Sequence, residues 1–273
     1  MKLLLVITLL ATLLRLFFFF DFHSCCGSDE GVYHNIAQNL AFRNAFVFDE
    51  QRLEPWREEI YSAKPPLYPF FIAGIYKLID SPDYKIVELI QILLSAITGF
   101  LIYLIGKELA SRKAGIIALI LYSFFLETAY MSILLMSENI YWLLLSLYIY
   151  LLIRMKRSGS NLGILIGIAS GLLILVRPPS IVFILLVAAW YLWKNVTRQA
   201  ILNTVALVVF SFLTVLPWTI RNYNLYGQFV FIYTDGGINV WMGNHEGASG
   251  GYQVIKPDDS DKIPKLKTQG VAQ

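Results

Sequence analysis

The chain has 273 residues, of which 57% are apolar, 15% aromatic and 15% charged, with a mean hydropathy of +0.60. A soluble domain carries about 25% charged residues, so these figures exclude an ordinary soluble enzyme as well as disorder, collagen and coiled coil. The balance of 22 Lys+Arg against 19 Asp+Glu leaves +3, too little to argue for nucleic acid.

A bilayer-spanning helix needs about 20 mostly apolar residues. Leu3 to Phe20, interrupted by Arg15, is the first candidate. It starts on Lys2 and has no small-residue cleavage site before Asp21, so it reads as an uncleaved signal anchor. Adjacent Cys25 and Cys26 follow it and give neither a disulfide framework nor metal-ligand spacing. Further candidates are Ile86 to Ile105, Ala114 to Leu126, Ile140 to Ile153, Leu162 to Val176, Ile181 to Trp193 and Ile201 to Pro217. Several are short and draw on flanking residues. The expectation is an all-α, polytopic membrane bundle over 1–218 with about seven spans, then a Gly-rich polar tail over 219–273.

Short cytoplasmic loops collect Lys and Arg. Lys107, Arg112 and Lys113 follow the second span, Arg154, Lys156 and Arg157 the fourth, and Lys194 and Arg198 the sixth. The long first loop, 21–80, is acidic instead, with Asp21, Asp29, Glu30, Asp49, Glu50, Glu54, Glu58, Glu59 and Asp80. The N-terminus is therefore expected inside, and the first loop and the tail outside. Asn195-Val196-Thr197 fits a glycosylation sequon, but this topology puts it in the cytosol. Within the first loop, Leu67 to Ile79 is apolar but too short to span, between Lys64-Pro65-Pro66 and Asp80-Ser81-Pro82. It reads as an amphipathic helix on the outer membrane surface, with Tyr68, Phe70, Phe71 and Tyr76 at the headgroup level.

Several outward residues invite a chemical reading, each with a bland one beside it. Ser28 is a good N-cap, and Val32, Tyr33, Ile36, Ala37, Leu40 and Ala41 then recur at helical spacing. Asp29 and Glu30 fall in the first turn, where the dipole favours negative charge and a general base would be well placed. An acidic first turn is also simply common. His34 lies one turn after Glu30 and reads as surface. Lys64, stiffened by two prolines, is either a snorkelling lysine or a point charge for a lipid phosphate. Glu138, in Met136-Ser137-Glu138-Asn139, and Glu127 stand at the outer mouths of apolar helices, where a carboxylate faces protein, a water cavity or the solvated interface. Arg177, before Pro178-Pro179, and Arg221, after Pro217-Trp218, oppose the positive-inside trend, and a phosphate matches the guanidinium fork. The Gly236–Asn244 and Gly247–Tyr252 stretches read as a turn-rich loop, not a nucleotide motif.

Taken in order, Asp29-Glu30, Lys64-Pro65-Pro66-Leu67, Glu138 and Arg177-Pro178-Pro179 resemble the bacterial branch of the protein mannosyltransferase and aminoarabinose-transferase-like membrane enzymes, in the glycosyltransferase C superfamily. Pro217-Trp218…Arg221-Asn222 and Gly236-Gly237-Ile238-Asn239…Gly243-Asn244 extend the likeness. The resemblance implies a plasma-membrane enzyme that transfers a sugar from a polyprenyl-phosphate carrier to a glycan, lipid or protein acceptor on the outer face, by inverting single displacement. It gives Asp29 the role of general base and Glu30 that of its acidic neighbour. It gives Lys64, Arg177 and Arg221 the carrier phosphate, and Glu138 a hold on the acceptor or a metal. A divalent ion, Mg²⁺ or Mn²⁺, would take Asp29, Glu30 and Glu138 as candidate ligands. Relatives usually continue with more spans, so the chain is expected to be an N-terminal portion. A lipid-linked-saccharide flippase and a non-catalytic truncated subunit stand as alternatives.

Overall fold

Long apolar runs in a bilayer can satisfy their backbone only by coiling into helices or closing into barrels. In the computed structural model they coil. It describes residues 2–21, 29–49, 60–158, 161–194, 196–234, 236, 240, 243–245 and 248–251. Cys25, Cys26, the expected Ser28 cap, Glu50, Glu54, Glu58, Glu59, Asn195, much of the Gly-rich stretch and the tail beyond 251 lie outside the described residues.

The helices are α1 (Lys2–Asp21), α2 (Asp29–Arg43), α3 (Leu67–Ile79), α4 (Tyr84–Leu109), α5 (Arg112–Phe124), α6 (Leu126–Met131), α7 (Glu138–Ser158), α8 (Gly163–Val176), α9 (Ser180–Lys194) and α10 (Arg198–Tyr226). A two-residue antiparallel ladder, β1 (Val47–Phe48) with β2 (Ile60–Tyr61), pairs Val47 with Tyr61 and Phe48 with Ile60. Three helices, α1, α4 and α10, are long and apolar enough to cross a membrane, and α3, α8 and α9 are shorter apolar helices.

Glycines set the closest helix contacts. Gly163, Gly167 and Gly171 face α10, where an added Cβ would stand 2.5 Å from the Asn203 carbonyl oxygen, 2.7 Å from that of Leu207 and 2.4 Å from the Thr214 Cβ. Ser211 Oγ donates to the Gly167 carbonyl at 3.1 Å, which fastens the same seam. Gly106 and Gly115 bring α4 against α5, with a Cβ on Gly115 2.5 Å from the Tyr103 carbonyl oxygen. Arg15, inside α1, is buried and hydrogen-bonded. It donates to Ser95 Oγ at 2.9 Å and to the carbonyls of Ala11 and Ser123 at 3.0 Å, and so binds α1 to α4 and α5.

Three features differ from the sequence reading. The expected span Ala114–Leu126 breaks at Phe125, whose extended backbone (φ −71°, ψ 113°) ends α5 and starts α6. Thr128 Oγ1 makes the break tolerable by donating to the carbonyls of Tyr122 and Phe125, each at 2.8 Å. Pro217 does not end α10. The helix loses one backbone bond there and runs on to Tyr226, where Gly227 closes it in the left-handed conformation at φ 66°. The expected boundary at 218 therefore falls inside a helix. Finally, α3 has the expected limits, but Tyr68 and Tyr76 turn into the protein, 1% and 0% exposed, where each hydroxyl finds a partner in Gln91 or His34. Phe70, Lys77 and Leu78 make the outer face of α3.

The chain's alternation sorts its charges. Arg157 meets Glu108 at 2.8 Å, and Lys156 lies 4.6 Å from the Trp190 ring centre, so the loops after α4, α7 and α9 share one end of the bundle. At the other end lie α2, α3, the α6–α7 segment, the α8–α9 turn and the end of α10. Gly171→Val should push α8 off α10 and cost about 1–3 kcal/mol, read as a lower Tm in detergent. Gly74→Ala, with nothing within 4 Å of the added methyl, should instead raise Tm slightly, because alanine is the better helix former.

Candidate functional site

Asp29 and Glu30 open α2, and Pro65-Pro66 lock the backbone just after Lys64 at the entry to α3. Lys64 Nζ donates to Asp29 Oδ1 at 3.0 Å. The lysine side chain is 19% exposed and the aspartate 46%. The ammonium also lies over the Tyr33 ring, 5.9 Å from its centre.

A second ion pair joins the next two elements. Arg177 Nη2, just past the end of α8, donates to Oε1 of Glu138, the first residue of α7, at 2.5 Å. The guanidinium lies 5.3 Å from the Tyr141 ring centre. The other Glu138 oxygen, Oε2, is buried with no hydrogen-bond partner among the described residues.

Tyr33 stands between the two pairs. It packs edge-on to Tyr68 at 4.9 Å, and its hydroxyl lies towards Ser137, the neighbour of Glu138. Burial pushes the phenol pKa up. Ser137 and Lys64 pull it back, and the Asp29 and Glu138 carboxylates add to the rise. The sequence marked Tyr33 only as an apolar position on α2. The available signal was its place one turn after Asp29, on the same face.

Glu30 does something different from Asp29. It is 9% exposed, and its Oε1 accepts from the Leu135 backbone N–H at 2.9 Å. Gln91 of α4 donates to the carbonyls of Leu134 at 2.8 Å and Ser132 at 3.4 Å, and Asn139 donates to that of Met131 at 2.8 Å. These bonds hang the segment before Glu138 from three helices by its main chain. Glu127 is exposed in the first turn of α6. His34, expected at the surface, is half-buried in the α2–α3 contact. Gln38 Nε2, as assigned, donates to His34 Nε2 at 2.9 Å, so the ring proton sits on Nδ1 and faces the Tyr76 hydroxyl at 2.7 Å.

Arg221 keeps different company from Lys64 and Arg177. Its Nη1 donates to Ser62 Oγ at 2.6 Å and Asn222 Oδ1 at 3.0 Å, and Nη2 to the Phe46 carbonyl at 3.3 Å. Among the described residues no three His, Cys, Asp or Glu side chains stand close enough to share an ion. Asp29 faces an ammonium and Glu138 a guanidinium, so Asp29, Glu30 and Glu138 do not fit a resident Mg²⁺ or Mn²⁺, which needs several oxygens converging on one point.

A mainly helical bundle with helices long and apolar enough to cross a membrane, and charges gathered at its two ends, has the build of a membrane protein. The fold resembles the oligosaccharyltransferase of Archaeoglobus fulgidus, in the form tethered to an acceptor peptide containing the NVT sequon (TM-score 0.62, 14% identity, 85% of this chain and 31% of that one). The apo form of that enzyme matches equally (TM-score 0.63, 15% identity, 86% and 31%). At this identity the likeness is one of fold, and the chain spans less than a third of that enzyme's length. No curated protein matches the sequence. The dolichyl-phosphate-mannose-protein mannosyltransferase family model matches residues 63–220, more than half the chain, and the chain belongs to that family.

Two tests follow from the site's packing. Glu30→Ala should strand the buried Leu135 N–H and cost about 1–3 kcal/mol. Glu30→Gln, which keeps an acceptor oxygen, should cost less, and thermal unfolding of both variants checks this. Burial holds the His34 pKa below its ordinary value of 6.5. The unfolded chain then binds more protons between the two values, so this part of the stability is present above about 6.5 and is lost as pH falls below it. The Tm drop between pH 7.5 and 5.5 should be smaller in His34→Gln.

Proposed function

We propose that this chain carries the donor end of a membrane glycosyltransferase that moves a sugar from a polyprenyl-phosphate carrier to an acceptor on the outer face. The observation that carries the reading is the meeting of Asp29–Lys64 and Glu138–Arg177 around Tyr33. Two cations converge there with a partly exposed carboxylate, at the bundle end away from the basic loops.

The chemistry asks little more of a protein. The acceptor hydroxyl attacks the anomeric carbon from the face opposite the carrier. The bond from that carbon to the phosphate oxygen breaks, and its electron pair leaves with the phosphate. Configuration inverts. Asp29 takes the acceptor's proton. Lys64 and Arg177 balance the phosphate's growing charge, which preorganised cations do at low reorganisation cost. Phosphate would compete with the carboxylates for both cations, so donor arrival would free Asp29 to meet the acceptor. Glu138 keeps Arg177 aimed and offers its second oxygen to an acceptor hydroxyl.

Lys107, Arg112, Lys113, Arg154, Lys156 and Arg157 at the opposite end support the outward placement of the site. The full set of about seven crossings would use α5 with α6, α7, α8 and α9 beside the three long helices. Glycan, lipid and protein all remain within the acceptor class.

Membranes holding the chain, given labelled polyprenyl-phosphate sugar, test the reading. Asp29→Asn should lower transfer by about 10²–10⁴-fold with binding of a polyprenyl monophosphate kept, and Lys64→Ala should weaken that binding. Full transfer by Asp29→Asn would overturn the base assignment.

A further inference from the structure

We infer that Arg221 is a positioning residue for Lys64 and not itself a phosphate contact. Its guanidinium is committed inward. It stacks 4.6 Å from the Trp218 ring centre and 5.6 Å from that of Phe46. Its fork spreads over Ser62 Oγ, Asn222 Oδ1 and the Phe46 carbonyl.

Ser62 is the link. It is 0% exposed, lies two residues before Lys64, and holds a left-handed backbone at φ 60°, which a non-glycine residue adopts only when its surroundings impose it. The surroundings here are the end of α10. Ser62 Oγ donates to Asn222 Oδ1 at 2.9 Å while accepting from Arg221, and the Ser62 carbonyl accepts from Thr234 N at 3.1 Å. Asn222 Nδ2 in turn donates to the carbonyls of Val230 and Ile232, and Trp218 Nε1 to that of Ile232 at 2.7 Å. One helical turn of α10 thus clamps Phe46, the 60–64 segment and the 230–234 segment together. The left-handed turn at Ser62 redirects the chain just before Pro65, and with the prolines it fixes where Lys64 emerges opposite Asp29. Arg221 reaches the site through Ser62 and sets the geometry of the Asp29–Lys64 pair.

Its effect on activity rests on the reading of Lys64 as the donor-phosphate contact, but its effect on geometry does not, and two measurements separate them. The first is zero-length carbodiimide coupling of Lys64 to Asp29 in the purified full chain, read by mass spectrometry of the linked peptides. Arg221→Gln and, independently, Ser62→Ala should each cut the coupled yield about fivefold, measured below the Tm of each variant so that the chain is still folded. Arg221→Lys, which keeps one donor but not the fork, should restore part of it. An unchanged yield in either variant that folds would overturn the inference. The second is a double-mutant cycle on binding of a polyprenyl monophosphate to the chain in nanodiscs. Arg221→Gln should weaken binding about tenfold alone and add nothing to Lys64→Ala. Additive losses would make Arg221 a direct phosphate contact and overturn the inference. If Lys64→Ala leaves binding unchanged while the coupled yield still falls in Arg221→Gln, the donor reading fails and the positioning role stands.

Discussion

A charge in hydrocarbon costs several kcal/mol unless it is solvated or paired, and every other feature of this chain is arranged around that constraint. The basic loops collect at one end, where Arg157 and Lys156 meet Glu108 and Trp190. The one arginine within the first long apolar helix, Arg15, is tolerated because Ser95 and two carbonyls take its donors. At the other end, Asp29, Lys64, Glu138 and Arg177 neutralise one another in two pairs. The same economy makes a reactive site possible. Four charges held partly out of water interact more strongly than they would in bulk.

Much of this was legible in the sequence because the signals were coarse. Prolines on one side and Asp80 on the other bounded α3, Arg177 stood out against the positive-inside trend, and Asp29, Lys64 and Glu138 stood at the edges of helical stretches. What could not be read was local compensation. The break at Phe125 depends on Thr128 reaching back to two carbonyls. The passage of α10 through Pro217 depends on neighbours that hold the helix together beyond it. Tyr68 and Tyr76 look like interfacial tyrosines until Gln91 and His34 supply buried partners. Glu30 and Asp29 look alike in sequence, yet one grips a main-chain N–H and the other meets a lysine.

Neighbouring side chains at this end divide between two kinds of partner. Asp29 and Glu138 hold cations. Glu30, Gln91, Asn139, Asn222 and Ser62 hold main chain or one another, and their bonds lie beneath the ion pairs. The chain belongs to a mannosyltransferase family and shares its fold with a much larger oligosaccharyltransferase.

The segment leading into Glu138 is gripped through its main chain, at Met131, Ser132, Leu134 and Leu135. Main-chain groups are present whatever the side chain is. The letters of that segment are therefore free to drift among residues of suitable size, whereas Glu30, Gln91 and Asn139, whose side chains make the bonds, are not. Divergent copies of this chain would keep those three polar residues and lose resemblance in the loop they hold, so the loop's sequence is a poor marker of kinship and its grips a good one.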